Sequence, residues 1–578
     1  MTVDIPTCEE IEAALAQVEK KENFEFARAF RDHTGPGWGL LAQVFSLWYQ
    51  RRNAQAPFAP TVTLEGLTEA QLDALRPTLD CVSDPEFRAR VADILWLRRG
   101  DHVAARIAVE AYLESGMRLE DPKHWVAGME RYERAIRLAR LLGKSDPLFD
   151  KSLSHLLERV RHYDGGDKSW LTHRGLSLLY EFQAGNPSEL AALAAKVAAR
   201  ASAERDFRRA WEHFEHEAKF HRRAGDTTKA NEAMRARAER MADEAEVREG
   251  AGSFIAAHKF WNDAIQAYRS VPGSADRIKE LHRRLNIAGE KMRSEMQTTT
   301  IQIDVSEKAK RAKELLTGKS FEDALCILAA IARPIDPIPY RSEIEQMIAD
   351  SPFQATIAAG IFDGAGRKVD VRPPALTGDP AERERAMLGF MAYYADPYRL
   401  EAVAGSIAPA MRQMLSEHGV YSPAIEAFVK ESAFIPDGRV SIFARGIRFG
   451  FEWDISTALH LLIPQVENAL RALLAQQGTI TTALDAVGIE EAWPLGKILN
   501  ESALADMLGN AHVYELRSLL LGQPGSNFRN LLAHGLLGDE HLAGHGALYL
   551  WWLILRIVVM HTPTFRSFVE SCLNEPKG

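Results

Sequence analysis

The sequence predicts a mostly α-helical protein: an N-terminal helical-repeat, solenoid-like body, a small insert bearing a β-hairpin, and a C-terminal helical bundle. Three observations carry this prediction. A glycine followed by a short polar stretch recurs at intervals of 40 to 48 residues between Gly100 and Gly318. From Trp453 to Gln477 the apolar residues return with the 3.6-residue period of an amphipathic helix. Between these regions, prolines and Asp-Gly pairs cluster from Pro334 to Gly438, which marks turns and short strands.

Composition narrows the classes. With 578 residues, 46% hydrophobic and 26% charged, the chain has the make-up of a globular protein of several domains. A net charge of −9 excludes a protein that coats nucleic acid through bulk electrostatics, so any RNA contact is expected to be local. Cys8, Cys81, Cys326 and Cys572 are scattered without a CxxC pair, which suggests a reducing compartment and no structural zinc. The first twenty residues lack the apolar core of a secretory signal. The run Ala547–Met560 is short for a bilayer span and contains Arg556, so it is expected to be a buried core helix. A cytoplasmic protein with no membrane contact is the expectation.

In chain order, residues 1–83 read as helices with a Pro-rich interruption at Ala56–Pro60. Thr68, with Gln71 three residues on, opens a helix as a capping box. Residues 84–333 read as helical repeats that loosely resemble tetratricopeptide or HEAT-like units without matching either signature; the alternative is an irregular helical domain whose turns happen to share this spacing. The turns sit at Gly100, Gly143, Gly185, Gly225, Gly273 and Gly318, and aromatic and small residues precede several of them: Tyr132 with Ala135, Phe214 with Ala218, Phe260 with Ala264. Small residues let paired helices approach and the glycine supplies the C-cap. The basic pairs Arg208-Arg209, Arg222-Arg223 and Arg283-Arg284 are interleaved with acids and read as a solvated face. Residues 334–437 form a mixed insert. It opens with a linker at Pro334, Pro337 and Pro339, continues with two strands around Asp363-Gly364, and resumes helices at Asp379-Pro380.

The fourth region, 438–578, carries the candidate chemistry. On the helix from Trp453 to Gln477, His460, Pro464, Glu467 and Arg471 form a narrow polar stripe, with Glu467 and Arg471 spaced as a surface ion pair. Pro464 implies a kink or a helix start. Helices at 499–509 and 512–522 follow, and a breaker cluster spans Gly522–Gly525. Then come Arg529 and Asn530, with His534 four residues after the asparagine and on its helix face. The Arg529 guanidinium can swing over the helix N-terminus, where free N–H groups favour a phosphate. A helix from Asp539 to Val559 closes the bundle. His541 and His545 are i,i+4, but without an HExxH arrangement they read as ordinary helix histidines. Arg118…His124 and Arg208…His213 share the loose Arg-to-His spacing, so specificity rests on the fuller form Arg-Asn-x-x-Ala-His-Gly before a long apolar helix.

In that fuller form the C-terminal region resembles the HEPN superfamily of small helical domains. Phe449–Leu474, together with Arg529-Asn530 and Ala533-His534-Gly535, also resembles a family of bacterial proteins known mainly as a domain of unknown function, in which a HEPN-type bundle ends a long helical chain. Arg88–Trp96 resembles that family's N-terminal part. The resemblance implies a metal-independent endoribonuclease without cofactors, dimerising through the bundle and acting on RNA such as tRNA or mRNA in antiphage defence, stress or toxin action. It implies that His534 moves a proton in attack of a ribose 2′-OH on the adjacent phosphate, that Arg529 stabilises the phosphorane, and that Asn530 orients either group, with His460, Glu467 and Arg471 in support. An imidazole changes charge near neutral pH, which suits both proton roles. Leu536 stands where toxins silenced by a nucleotidyltransferase partner carry Tyr, so that pairing is not implied. The alternative is a non-catalytic adaptor, with repeats that bind a protein partner, a bundle that serves dimerisation or nucleotide binding, and Arg529 paired structurally with Glu467.

Overall fold

The computed structural model describes residues 4–35, 37–46, 49–50, 59–60, 66–292, 294–295, 303–362, 366–376, 378–420, 422–484, 487–522 and 525–574. These residues are mostly helical, interrupted by three antiparallel two-stranded hairpins. They divide into two compact units, 1–296 and 297–578.

In the first unit, the helices Pro85–Arg99, His102–Leu119, Val126–Leu142 and Pro147–Tyr163 each pack on the next in chain order. So do Pro187–Ala203, Phe207–Arg223, Thr227–Gly250, Phe254–Tyr268 and Ala275–Met292. The turn chemistry is as the sequence predicts. All six repeat glycines have positive φ, and Asp101, Asp146, Asn186 and Asp226 cap the helices that follow them. Ala135, Ala218 and Ala264 are fully buried between helices. Thr68 and Gln71 form the expected capping box.

Three expectations for this unit need correcting. Cys8 and Cys81 form a disulfide with a Cα–Cα distance of 5.9 Å. The two cysteines lie 73 residues apart, and only the packing of the N-terminal helices brings them together. Arg209 is buried and paired with Glu204 instead of solvated. Arg223 donates to the carbonyls of Ala184 and Gly185 at 2.9 and 3.0 Å, satisfying backbone acceptors just beyond the helix Leu171–Glu181. Of the Pro-rich interruption, Ala56–Phe58 lie outside the described residues; Ala59–Pro60 pairs with Tyr49–Gln50.

The second unit is built around the helix His545–Met560, in which Trp551 and Trp552 are completely buried. Trp552 Nε1 donates to Leu328 O at 2.8 Å, and Arg556 Nη1 to Ala329 O at 2.6 Å. The helices Ser306–Leu316 and Phe321–Ala330, assigned by sequence to the end of the repeats, therefore share the C-terminal core. The expected helix from Asp539 is two helices, Asp539–Leu542 and His545–Met560, because Gly544 is extended and acts as the second N-cap. The expected proline linker instead leads into a helix, Pro337–Asp350, capped by Asp336 with Pro at its first turn. The insert hairpin pairs Ala359–Phe362 with Lys368–Arg372; its Asp363-Gly364 turn lies outside the described residues. The helices expected at 499–509 and 512–522 are Ser502–Leu508 and Asn510–Leu520.

Two glycines one turn apart seat the helix Val440–Phe451 in this core. A Cβ on Gly446 would lie 2.5 Å from Leu462, and one on Gly450 would lie 1.9 Å from Trp551. The helix Ile455–Gln476 thereby gains a close partner on one side. It starts at its Asp454 cap and continues past Pro464; the missing amide costs the hydrogen bond to the His460 carbonyl but does not set the helix start. Among the described residues no single helix is long and apolar enough to cross a membrane. The bent pair His545–Met560 and Pro563–Leu573 meets the criteria by length and composition, across an 82° bend.

The first unit also holds three histidines in contact. His216 Nε2 lies 3.0 Å from His173 Nδ1, and the His213 ring centroid is 5.9 Å from each of the other two. His213 and His216 are buried. Burial, then the neighbouring His173 and Arg209, push His213 down to about 3; burial pushes His216 well below its ordinary range as well. Lys219 adds to this at His216, and Glu212 and Glu215 oppose it at His173. A histidine kept neutral in the fold but not in the unfolded chain contributes stability above pH 6.5 and loses it as the pH falls. We predict that acidification from pH 6.5 to 5 costs about 2 kcal/mol through His213 alone. His213→Leu should flatten the melting temperature against pH over that interval; an unchanged slope contradicts the assignment.

Candidate functional site

The site starts from a loop pressed onto the helix Asn510–Leu520. A Cβ on Gly525 would lie 2.2 Å from Ser518 O, and the Ser526 amide donates to that same carbonyl at 2.8 Å. The Asn527 amide donates to Leu521 O at 3.0 Å. Asn527 itself is left-handed, with φ 57° and ψ 26°, a conformation that asparagine tolerates better than most residues. It caps a helix of only six residues, Phe528–Ala533. His534 is the C-cap. Beyond it Gly535 and Leu536 donate back to Leu532 O and Leu531 O at 3.1 and 2.8 Å, a Schellman closure with Gly535 left-handed at φ 63°.

One buried carboxylate ties this short helix to the helix Ile455–Gln476. Glu467 is 8% exposed. Its Oε1 accepts from Arg471 Nη2 and its Oε2 from Arg529 Nε, the latter at 3.1 Å. Arg471 Nε donates to Trp493 O at 3.1 Å. Arg529 Nη1 donates to Asn530 Oδ1 at 3.2 Å, and Asn530 Nδ2 to Asn527 Oδ1 at 2.8 Å. The network therefore runs from the Trp493 carbonyl through Arg471, Glu467, Arg529 and Asn530 to Asn527. The Arg529 side chain remains 38% exposed, and its Nη2 makes no hydrogen bond to the described residues.

Two expectations change. Glu467 is not half of a surface pair: the Phe528–Ala533 helix packs over it, and it bridges two guanidinium groups. Arg529 donates to Glu467, as the adaptor alternative expected, and the helix whose N-terminus it was to overhang has only six residues. Of the sequence-derived residues, Arg529, Asn530, Glu467 and Arg471 come together. His534 follows one turn after Asn530, its amide donating to Asn530 O at 3.0 Å, with an exposed side chain. His460 does not join them. It is exposed, its Nδ1 donates to Ser456 O at 2.7 Å, and it lies about 10 Å from Glu467 along the helix axis.

Sequence reasoning missed Asn527 and Trp493. The Asn527 signal was present, an asparagine between a glycine-rich breaker and a helix start, where a left-handed residue fits. Trp493 contributes only its carbonyl, which no sequence pattern reveals. The decoy pairs are structural: Arg118 Nη1 binds Asp84 Oδ2 at 2.7 Å, Arg208 lies over the Trp170 ring, and His213 is buried. His545 Nε2 is 3.0 Å from Asp396 Oδ1. No group of three His, Cys, Asp or Glu among the described residues is arranged to hold a metal ion.

Residues 6–151 match the model of a domain of unknown function, DUF7380. No curated protein matches the chain.

Glu467 is the hub that holds Arg529. Removing a buried carboxylate from between two guanidinium groups costs about 2 kcal/mol here, below the 3–5 kcal/mol of a fully buried pair because both arginines are partly solvated. Glu467→Ala should lower the melting temperature by several degrees, with Glu467→Gln intermediate because it keeps an acceptor. No change in either variant would show that the carboxylate does not hold the site together.

Proposed function

We propose that the chain is a metal-independent endoribonuclease of HEPN type that acts as a homodimer in bacterial defence or stress. The supporting observation is a guanidinium held by Glu467 and Asn530 on a short helix whose C-cap residue, His534, carries an exposed imidazole. His534 takes the proton from a ribose 2′-OH as that oxygen attacks the adjacent phosphorus. The bond from phosphorus to the 5′-oxygen breaks, and the leaving oxygen takes a proton from the imidazole of the second copy. A 2′,3′-cyclic phosphate remains. Arg529 meets the charge that builds on the non-bridging oxygens, and because Glu467 already holds it, little ordering remains to be done in the transition state. RNA such as tRNA or mRNA is the substrate in this reading, and the helical repeats present it or bind a protein partner.

The hairpin Thr482–Leu484 with Glu490–Ala492 leads into Trp493, whose carbonyl holds Arg471. Its surroundings expose Ile480 and Leu484, 75% and 70% accessible. Exposed apolar residues beside a site mark an association surface, and this is where we place the second copy. The adaptor reading draws on the Glu467–Arg529 pair, which a structural remnant would keep as well.

Cleavage separates the two readings. Wild-type protein incubated with RNA in EDTA should leave 2′,3′-cyclic phosphate ends, and His534→Ala should lose at least about a hundredfold of the rate. Activity should follow the dimer on size exclusion and be lost in a monomeric Leu484→Asp variant. Equal cleavage by wild type and His534→Ala, or an absence of cleavage together with equal toxicity of the two on overexpression, would favour the adaptor.

A further inference from the structure

In the C-terminal unit the strand Lys368–Arg372 lies against the helix Pro380–Ala402. The two meet where Arg372 crosses Gly389. A Cβ on Gly389 would stand 2.9 Å from Arg372 Cγ and 3.0 Å from its Cδ, so the missing side chain is what lets the arginine stem pass over the helix. The guanidinium then rests on the Phe390 ring, 3.8 Å from its centroid.

Among the described residues no counter-ion meets this cation. Its Nε is buried without a hydrogen-bond partner, and the ionisable groups that act on it are the phenols of Tyr394 and Tyr393, not a carboxylate. The carboxylates of the helix and the strand are engaged elsewhere. Asp370 pairs with Arg385, Glu384 with Arg341, Asp396 with His545 and Glu401 with Lys308, while Glu382 closes the capping box with Asp379. Half-burying an arginine with no opposite charge is costly where a fold needs only packing. A phosphate supplies that charge and accepts from the guanidinium edge, which stacking on Phe390 leaves unused.

Aromatic surface adjoins the cation. Tyr393 is 67% exposed and stands edge-on to Tyr394, their centroids 5.1 Å apart; Tyr394 in turn lies parallel to Phe390 at 6.4 Å. A supported ring facing solvent beside an unpaired cation suits a nucleobase and its neighbouring phosphate. The same helix leads to the candidate site. Gly389, Tyr393 and Asp396 share one of its faces, and Asp396 binds His545. Six residues beyond Tyr393, about 9 Å along the axis, Arg399 reaches Ser518, whose carbonyl anchors the loop before Arg529.

We infer that Arg372 and Tyr393 form a second contact for single-stranded RNA, with a phosphate on the guanidinium and a base on the Tyr393 ring. The choice of RNA rests on the ribonuclease reading above. The test is fluorescence anisotropy of the full-length protein with a labelled 2′-O-methyl RNA of mixed sequence and about 12 nucleotides, run beside the cleavage assay in EDTA. Tyr393→Ala should weaken binding about five- to a hundredfold, and Tyr393→Phe, which keeps the ring, should bind as wild type does. Both should keep the wild-type melting temperature, because the ring is exposed. Arg372→Gln should weaken binding and make the plot of log affinity against log salt shallower by about 0.7, one phosphate contact on a single strand; Tyr393→Ala should leave that slope in place. Binding that falls in these variants while wild type cleaves nothing would keep this contact and remove the ribonuclease. Cleavage that depends on His534, with Tyr393→Ala binding as wild type does, would overturn the contact and keep the ribonuclease. Wild type that binds no RNA at micromolar concentration would overturn the contact and leave the exposed ring to a protein partner.

Discussion

A buried ion pair between Arg399 and Glu515, 2% and 0% exposed, sets the geometry of the C-terminal unit. Arg399 Nε and Nη2 both donate to Glu515 Oε2, at 2.9 and 2.7 Å. The other oxygen, Oε1, accepts from the Tyr549 hydroxyl at 3.1 Å and from the Ile335 amide at 3.2 Å. Arg399 Nη2 also reaches Ser518 Oγ at 2.8 Å. One carboxylate thus joins the helix Pro380–Ala402, the helix Asn510–Leu520, the central apolar helix and the start of the helix at Pro337. Taking two charges out of water is expensive, and only near-complete hydrogen bonding of both partners offsets it. Moving any of the four segments away would leave a buried charge or polar group without its partner.

The candidate site inherits this order. Ser518, held by Arg399, presents the carbonyl on which Gly525 and Ser526 close, and Leu521 presents the one that binds Asn527. The left-handed Asn527 then aims the short helix so that Arg529 meets Glu467. On the other side, Gly446 seats the helix that carries Glu467 against Val440–Phe451. The guanidinium is therefore fixed from the core outward, while His534, beyond the helix end and followed by a left-handed glycine, stays in solvent. Arg529 and His534 thus put a held cation and an accessible imidazole on one short segment.

Much of this was legible in the sequence where the cause is local. The repeat turns could be read because a positive φ and a capping side chain are properties of neighbouring residues, as at Gly100-Asp101 and Gly185-Asn186. The stripe of Glu467 and Arg471 could be read from the helical period. Periodicity does not say what later covers a stripe: the Glu467–Arg529 pair across 62 residues was open only as the structural alternative, and His460 was grouped with residues it does not meet. The Cys8–Cys81 bridge and the packing of Phe321–Ala330 under Trp552 were hidden for the same reason. Pro464 does not start its helix, and Pro337 opens one where a linker was expected; each removes one N–H donor. A long, well-packed helix tolerates that loss, and a first turn loses nothing by it.

In the ribonuclease proposed above, the Arg529 guanidinium held by Glu467 meets an RNA phosphate. This contact is tested most directly by the binding of a 2′-O-methyl RNA, which cannot be cleaved, to wild type and Arg529→Gln across a series of salt concentrations. The account predicts weaker binding by the variant and a plot of log affinity against log salt shallower by about 0.7, one phosphate contact on a single strand. Equal affinities and equal slopes would contradict it.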